Sequence, residues 1–115
     1  RDAHDRNKLE AATKYDAVAT SDIVIVTVGT PLTQDNSPDL APVESACASI
    51  GPKLQRGSLV IVKSTVPPQS TERWVKDILE STSGLVEGEH FGLAYCPERI
   101  SEGNAIQELQ RIPVV

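Results

Sequence analysis

Ile23-Val24-Ile25-Val26-Thr27-Val28 is the stretch on which the fold turns. Five of its six residues are Val or Ile, with no polar alternation. A continuous β-branched run of this kind suits a strand covered on both faces, as in a parallel sheet. Leu59-Val60-Ile61-Val62 repeats the pattern, and Phe91-Gly92-Leu93-Ala94-Tyr95 is a weaker third copy. Between the first two runs Val43, Cys47, Ile50 and Leu54 recur at helical spacing, and between the second and third Trp74, Val75, Ile78 and Leu79 do the same. The order is β-α-β-α-β, and the strand starts are far enough apart for the roughly thirty residues that each strand–helix–strand unit needs.

Boundary residues agree. Asp39 and Pro42 sit where the first helix should start and Gly57 where it should have ended; Ser70 and Thr71 can cap the second helix and Gly84 can close it. Ahead of the first strand, Leu9 to Thr13 reads as a short edge strand and Tyr15 to Thr20 as a short helix, while Thr33 to Pro38 is a polar loop. The expected fold class is α/β, a Rossmann-like parallel sheet with helical crossovers.

Composition bounds the function. With 115 residues and 39% hydrophobic content the chain can furnish one core, not two. Its net charge of −5 argues against a nucleic-acid footprint or a polybasic membrane patch. No apolar run approaches the roughly 20 residues of a membrane span, and no signal segment opens the chain. Cys47 and Cys96 lie far apart without metal-ligand spacing, so neither a disulfide framework nor a zinc site is expected, and a reducing cytoplasm fits. The chain has no Met and closes on the uncapped apolar run Ile112-Pro113-Val114-Val115, which reads as a piece of a longer protein.

In an open parallel sheet all carboxyl ends point to one edge, and ligands bind in the crevice there. The residues following the three strands therefore share one candidate site: Val28-Gly29-Thr30-Pro31, Lys63-Ser64-Thr65-Val66-Pro67-Pro68, and Cys96 through Gly103. Gly29 allows close backbone approach and Pro31 ends the ladder, although an ordinary turn would use the same residues. Ser64 and Thr65 offer hydroxyls for a water or a cofactor, or a helix cap. Glu98 and Glu102, four apart, would face the same way on a helical turn and suit proton transfer, yet Glu98 could equally be a solvated partner of Arg99. His4 and His90 are isolated, Cys96 lacks an activating base, and Trp74 belongs to a helix's apolar face.

At these three strand ends the sequence resembles the UDP-glucose/GDP-mannose dehydrogenase family. The resemblance rests on Val28-Gly29-Thr30-Pro31-Leu32 followed by Pro38-Asp39-Leu40, on Lys63-Ser64-Thr65-Val66-Pro67-Pro68, and on Pro97-Glu98-Arg99-Ile100-Ser101-Glu102-Gly103-Asn104-Ala105, in that order, and spans about Leu9 to Val115. It implies the second half of an NAD-binding domain, residues 1–115, with the first βαβ half and the domain carrying the catalytic Cys outside the chain. The implied reaction oxidises a nucleotide-sugar alcohol to a carboxylate with two NAD.

By the same resemblance, Val28, Gly29, Thr30, Pro31 and Leu32 would line the adenine-ribose and pyrophosphate side of NAD. Ser64 would touch the cofactor, and Glu102 would sit near the nicotinamide ribose. Thr65 would hold the reactive water and Glu98 would serve as acid and base. The nucleotide sugar would pass along Glu98, Arg99, Ile100, Ser101 and Glu102. No metal is implied, and the intact enzyme would be a homo-oligomer, a dimer.

Arg99 stands where the glucose and mannose enzymes usually have Phe. That is similar to the branch acting on UDP-N-acetylhexosamines such as UDP-N-acetylmannosamine, and it implies a role in surface polysaccharide synthesis. The Gly-rich turn that grips pyrophosphate is absent from the chain, as are the family's catalytic Cys and its Lys and Asn partners; Cys96 is wrongly placed to substitute. The competing expectations are a UDP-glucose, GDP-mannose or 6-phosphogluconate-type dehydrogenase, and a non-catalytic Rossmann-like nucleotide-binding module.

Overall fold

Three parallel strands pair in the order β1-β2-β3, with β1 at Ile23–Val26, β2 at Leu59–Val62 and β3 at Gly92–Tyr95. The computed structural model describes residues 9–98 and Gly103. Register aligns Ile23 with Leu59 and Gly92, and Val26 with Val62 and Tyr95, so the three carboxyl ends are level. The β-α-β-α-β order read from the sequence is the order observed.

β1 is shorter than the apolar run that marks it. It stops at Val26, whose carbonyl accepts both the Lys63 and Ser64 amides, at 2.8 and 3.3 Å. The edge strand expected at Leu9 to Thr13 is not formed: these residues are irregular and exposed. Their one large apolar side chain, Leu9, stands 60% exposed, so nothing is buried that would offset the cost of ordering a strand. The short helix expected at Tyr15 to Thr20 is a 3₁₀ turn, Asp16–Thr20, whose Val18 reaches the core.

Helix α1 (Ala41–Ile50) begins where Asp39 Oδ1 accepts the Ala41 amide at 3.0 Å and Pro42 occupies the first turn, where its missing N–H costs nothing. Val43, Ala46, Cys47 and Ile50 form its buried stripe. The helix then tightens into a 3₁₀ turn, Gly51–Lys53, that delivers Leu54 to the core. Gly57 therefore does not close the helix directly; with φ +86° it turns the chain into β2, its amide donating to the His90 carbonyl at 2.7 Å.

The second crossover starts differently from the expectation. Neither Ser70 nor Thr71 supplies a side-chain cap; a π turn, Thr71–Val75, comes first, with the Val75 amide reaching back to the Ser70 carbonyl at 2.9 Å. Gln69, at φ +68°, makes the bend before it. Helix α2 (Lys76–Ser83) follows and ends as expected at Gly84, whose φ of +70° and amide bond to the Glu80 carbonyl make a left-handed cap.

Both helices lie on one face of the sheet, where Val43, Val60, Val62, Val75 and Leu79 are fully buried together. Crossovers of one hand advancing in one direction require this. Within this chain, β1 is therefore covered on one face only, where the expectation had both. Ile23 and Ile25 point to the other face and are 56% and 53% exposed among the described residues.

The helix layer closes around Gly51. A Cβ at this position would lie 1.7 Å from Thr82 Oγ1 and 2.7 Å from its Cβ, and that hydroxyl already donates to the Ile78 carbonyl at 2.6 Å. Gly51→Ala is expected to cost about 1–3 kcal/mol through overpacking. Urea unfolding should show a lower midpoint at unchanged m-value; a wild-type midpoint would mean that the contact yields without strain.

Candidate functional site

The ladder continues past the strand ends and binds them into one platform. Lys63 donates its amide to the Val26 carbonyl at 2.8 Å, Cys96 donates to Val62 at 2.9 Å, and Glu98 donates to Lys63 at 3.3 Å. Ser64 adds a side-chain strut: its hydroxyl donates to the Val28 carbonyl at 2.6 Å. The structure thus brings Val28, Ser64, Thr65 and Glu98 to the same edge. The three segments are joined pairwise through the middle one.

Each segment presents different chemistry. Gly29 is exposed, a Cβ there would touch nothing, and the amides of Gly29 and Thr30 have no hydrogen-bond partner among the described residues. They are free donors on an open edge. Behind them Leu32 bridges Pro38, with the Thr33 amide on the Ser37 carbonyl at 2.8 Å and the Asp39 amide on Pro31 at 2.7 Å. Asp35 closes this loop by accepting the Thr33 hydroxyl, which holds its carboxyl below the ordinary range. Since the folded value is the lower one, that fastening is complete above the unfolded carboxyl range and is lost as pH falls through the folded value.

Thr65 is exposed at the platform, whereas Ser64 is only 6% exposed. The expected cofactor contact of Ser64 therefore falls on a side chain whose proton is already committed to Val28. Ser64→Ala is expected to cost about 1 kcal/mol, because the partly buried Val28 carbonyl loses its hydrogen-bond partner, and to loosen the segment from Val28 to Leu32, read as a change in the KM for NAD if that segment meets the cofactor. Thermal unfolding and steady-state kinetics check the two effects; an unchanged melting temperature would show the bond to be dispensable.

Glu98 follows β3 with its Oε2 3.4 Å from Lys63 Nζ, so a cation from the neighbouring strand end reaches it. Arg99, Ile100, Ser101 and Glu102, expected to meet substrate and the nicotinamide ribose, lie outside the described residues, as does His4.

The remaining residues weighed from the sequence have structural places. His90 Nδ1 accepts the Val86 amide at 2.9 Å in the turn before β3. Cys47 is buried, and burial pushes its thiol up to about 11, which makes it inert. Trp74 packs partly buried against the core. Among the described residues no cluster of three or more His, Cys, Asp or Glu is placed to hold a metal, and no helix is long and apolar enough to cross a membrane.

A feature without a sequence signal lies beside the platform. A cavity of about 450 Å³ is lined by residues including Pro67, Pro68, Thr71, Lys76, Glu87 and Tyr95. Lys76 and Glu87 pair across 3.8 Å, and the buried Thr71 hydroxyl has no hydrogen-bond partner among the described residues. The sequence marks Thr71 only as a capping residue, since the π turn that displaces it from that role leaves no pattern in residue spacing.

The model of the UDP-glucose/GDP-mannose dehydrogenase family, NAD binding domain, matches residues 1–115. The chain belongs to that family. Among its relatives, the UDP-N-acetyl-D-mannosamine dehydrogenase of Pyrococcus horikoshii is 38% identical over 102 residues, 89% of this chain and 24% of the relative. The UDP-N-acetyl-D-glucosamine 6-dehydrogenase of Pseudomonas aeruginosa is 42% identical over 81% of this chain and 22% of its own length. A solved GDP-mannose dehydrogenase from Pseudomonas aeruginosa, described as a ternary complex, superposes with a TM-score of 0.89 at 30% identity, over 97% of this chain and 27% of that one. The chain thus spans about a quarter of the length of the relatives it matches.

Proposed function

We propose that residues 1–115 are the second half of the NAD-binding domain of a nucleotide-sugar 6-dehydrogenase. Its substrate is a UDP-N-acetylhexosamine, with UDP-N-acetylmannosamine favoured by Arg99, which is oxidised to the uronate. The observation that carries the reading is the joined platform: an exposed hydroxyl, Thr65, and an ion-paired carboxylate, Glu98, stand at the edge where Gly29 and Thr30 present unpaired amides. A non-catalytic nucleotide-binding module needs the amides but has no use for the other two.

The platform fits NAD. Free backbone donors on an open, glycine-containing strand end can meet ribose and phosphate oxygens without side-chain interference, and Val28 to Leu32 would hold the cofactor there. NAD, when bound, supplies the hydride acceptor. Of the residues in this chain, Thr65 holds a water through its hydroxyl, and Glu98 takes a proton from it or returns one. The nucleotide sugar would pass along Glu98 to Glu102. The setting that follows is a cytoplasmic step of surface polysaccharide synthesis by a homodimer.

The test is NADH formation by the full-length protein with UDP-N-acetylmannosamine, UDP-glucose and GDP-mannose in parallel. The reading requires two NADH per UDP-N-acetylmannosamine consumed and slower turnover of the other two. Faster turnover of UDP-glucose or GDP-mannose would move the substrate assignment, and NAD binding without NADH formation from any of them would return the chain to the module reading.

A further inference from the structure

We propose that Lys63 is a positioning residue that aims the Glu98 carboxylate at the substrate edge; this rests on the acid and base reading of Glu98 given above. The geometry is a two-point attachment. Lys63 is the first residue beyond β2, and its main chain is held from both sides. Its amide donates to Val26 at 2.8 Å, and its carbonyl accepts the Glu98 amide at 3.3 Å. Its side chain then meets the same glutamate, Nζ standing 3.4 Å from Oε2. One contact holds the Glu98 main chain and the other draws its side chain toward the end of β2.

A purely structural role does not account for the pair. The two side chains are 33% and 50% exposed, and ion pairs this wet contribute about 0–1 kcal/mol to stability. Neither residue belongs to the core, which lies on the helix face around Val60 and Val62. What the ammonium does supply is orientation, through a contact that reaches the carboxylate from the neighbouring strand end. The effect is local to this edge, because Lys63 is carried by the central strand and Glu98 by its neighbour.

The experiment compares five forms of the full-length enzyme: Lys63→Met, Lys63→Gln, Lys63→Arg, Glu98→Gln and the double variant Lys63→Met/Glu98→Gln. Lys63→Met and Lys63→Gln should each lower kcat by about 10- to 100-fold, the scale on which a misplaced catalytic group costs rate. Their KM for nucleotide sugar and their melting temperatures should stay near wild type. Lys63→Arg should recover most of the lost kcat, and the double variant should turn over no more slowly than Glu98→Gln, because a positioning residue has nothing left to position. The proposal is overturned if Glu98→Gln is impaired while both neutral Lys63 variants keep wild-type kcat, or if the two losses multiply in the double variant. It is also overturned if Lys63→Met lowers kcat only in proportion to a fall in melting temperature. Near-normal turnover in Glu98→Gln defeats the underlying reading of Glu98 instead, and the two failures are thereby told apart.

Discussion

Glu98→Gln is expected to lower kcat by about 10²- to 10⁴-fold, the range that proton transfer by a positioned side chain commonly supplies. Binding of NAD and nucleotide sugar should stay near wild type. Gln keeps the size and hydrogen-bonding reach of Glu but cannot take or give a proton, and Lys63 Nζ, 3.4 Å from the present oxygen, can still donate to an amide oxygen. The fold is thus spared while the chemistry is not. Thr65→Ala should slow the same step by a smaller factor, because other groups can hold part of the water's hydrogen bonding. Single-turnover kinetics with both ligands bound separates these effects from binding. Turnover within the normal range for Glu98→Gln would leave that carboxylate as a solvated ion-pair partner of Lys63.

The largest expected loss of stability is at Leu79. This side chain is fully buried, at the inner face of α2 against the same cluster that holds Val60, Val75 and Phe91. Truncating a buried Leu to Ala removes its transfer energy and leaves a cavity, and Leu79→Ala is expected to cost about 2–5 kcal/mol. The upper half of that range follows if α2 cannot settle inward. Gly51 limits such settling, because it is already in contact distance of Thr82 one turn along. Urea unfolding measures the cost; a change below the cost of a surface substitution would mean that the helix layer is loosely packed.

The sequence shows strand identity clearly because β-branched runs leave few alternatives: Ile23 to Val26 and Leu59 to Val62 are both strands of the sheet. It shows the edge of the candidate site for the same reason, since parallel strands fix where their successors must go. Exposure on each face is a different matter. Ile23 and Val24 are equally apolar, yet one is exposed and the other packs against the core, because the side on which crossovers return is a property of the sheet and not of either residue.

The helix starts show a second limit. Asp39 does bind the first free amide of α1, whereas Ser70 and Thr71, equally good capping residues by type, are bypassed by a π turn that begins after a left-handed Gln69. Ser64 shows the third. Its place in the motif Lys63-Ser64-Thr65 marks it for the cofactor, but in the fold its hydroxyl is already donated to Val28. The Lys63–Glu98 pair had no local signal at all, because it joins two segments separated by a whole crossover.

Hydrogen exchange of the full-length protein, measured with and without NAD, tests most directly whether the three strand ends form one ligand site. NAD is expected to slow exchange at the amides of Gly29, Thr30 and Thr65, and addition of nucleotide sugar should extend protection toward Glu98. The amides of Gly57 and Gly88 at the opposite edge should stay unchanged. Protection at that opposite edge, or NAD binding that leaves Gly29 and Thr30 exchanging as in the free protein, would contradict the account.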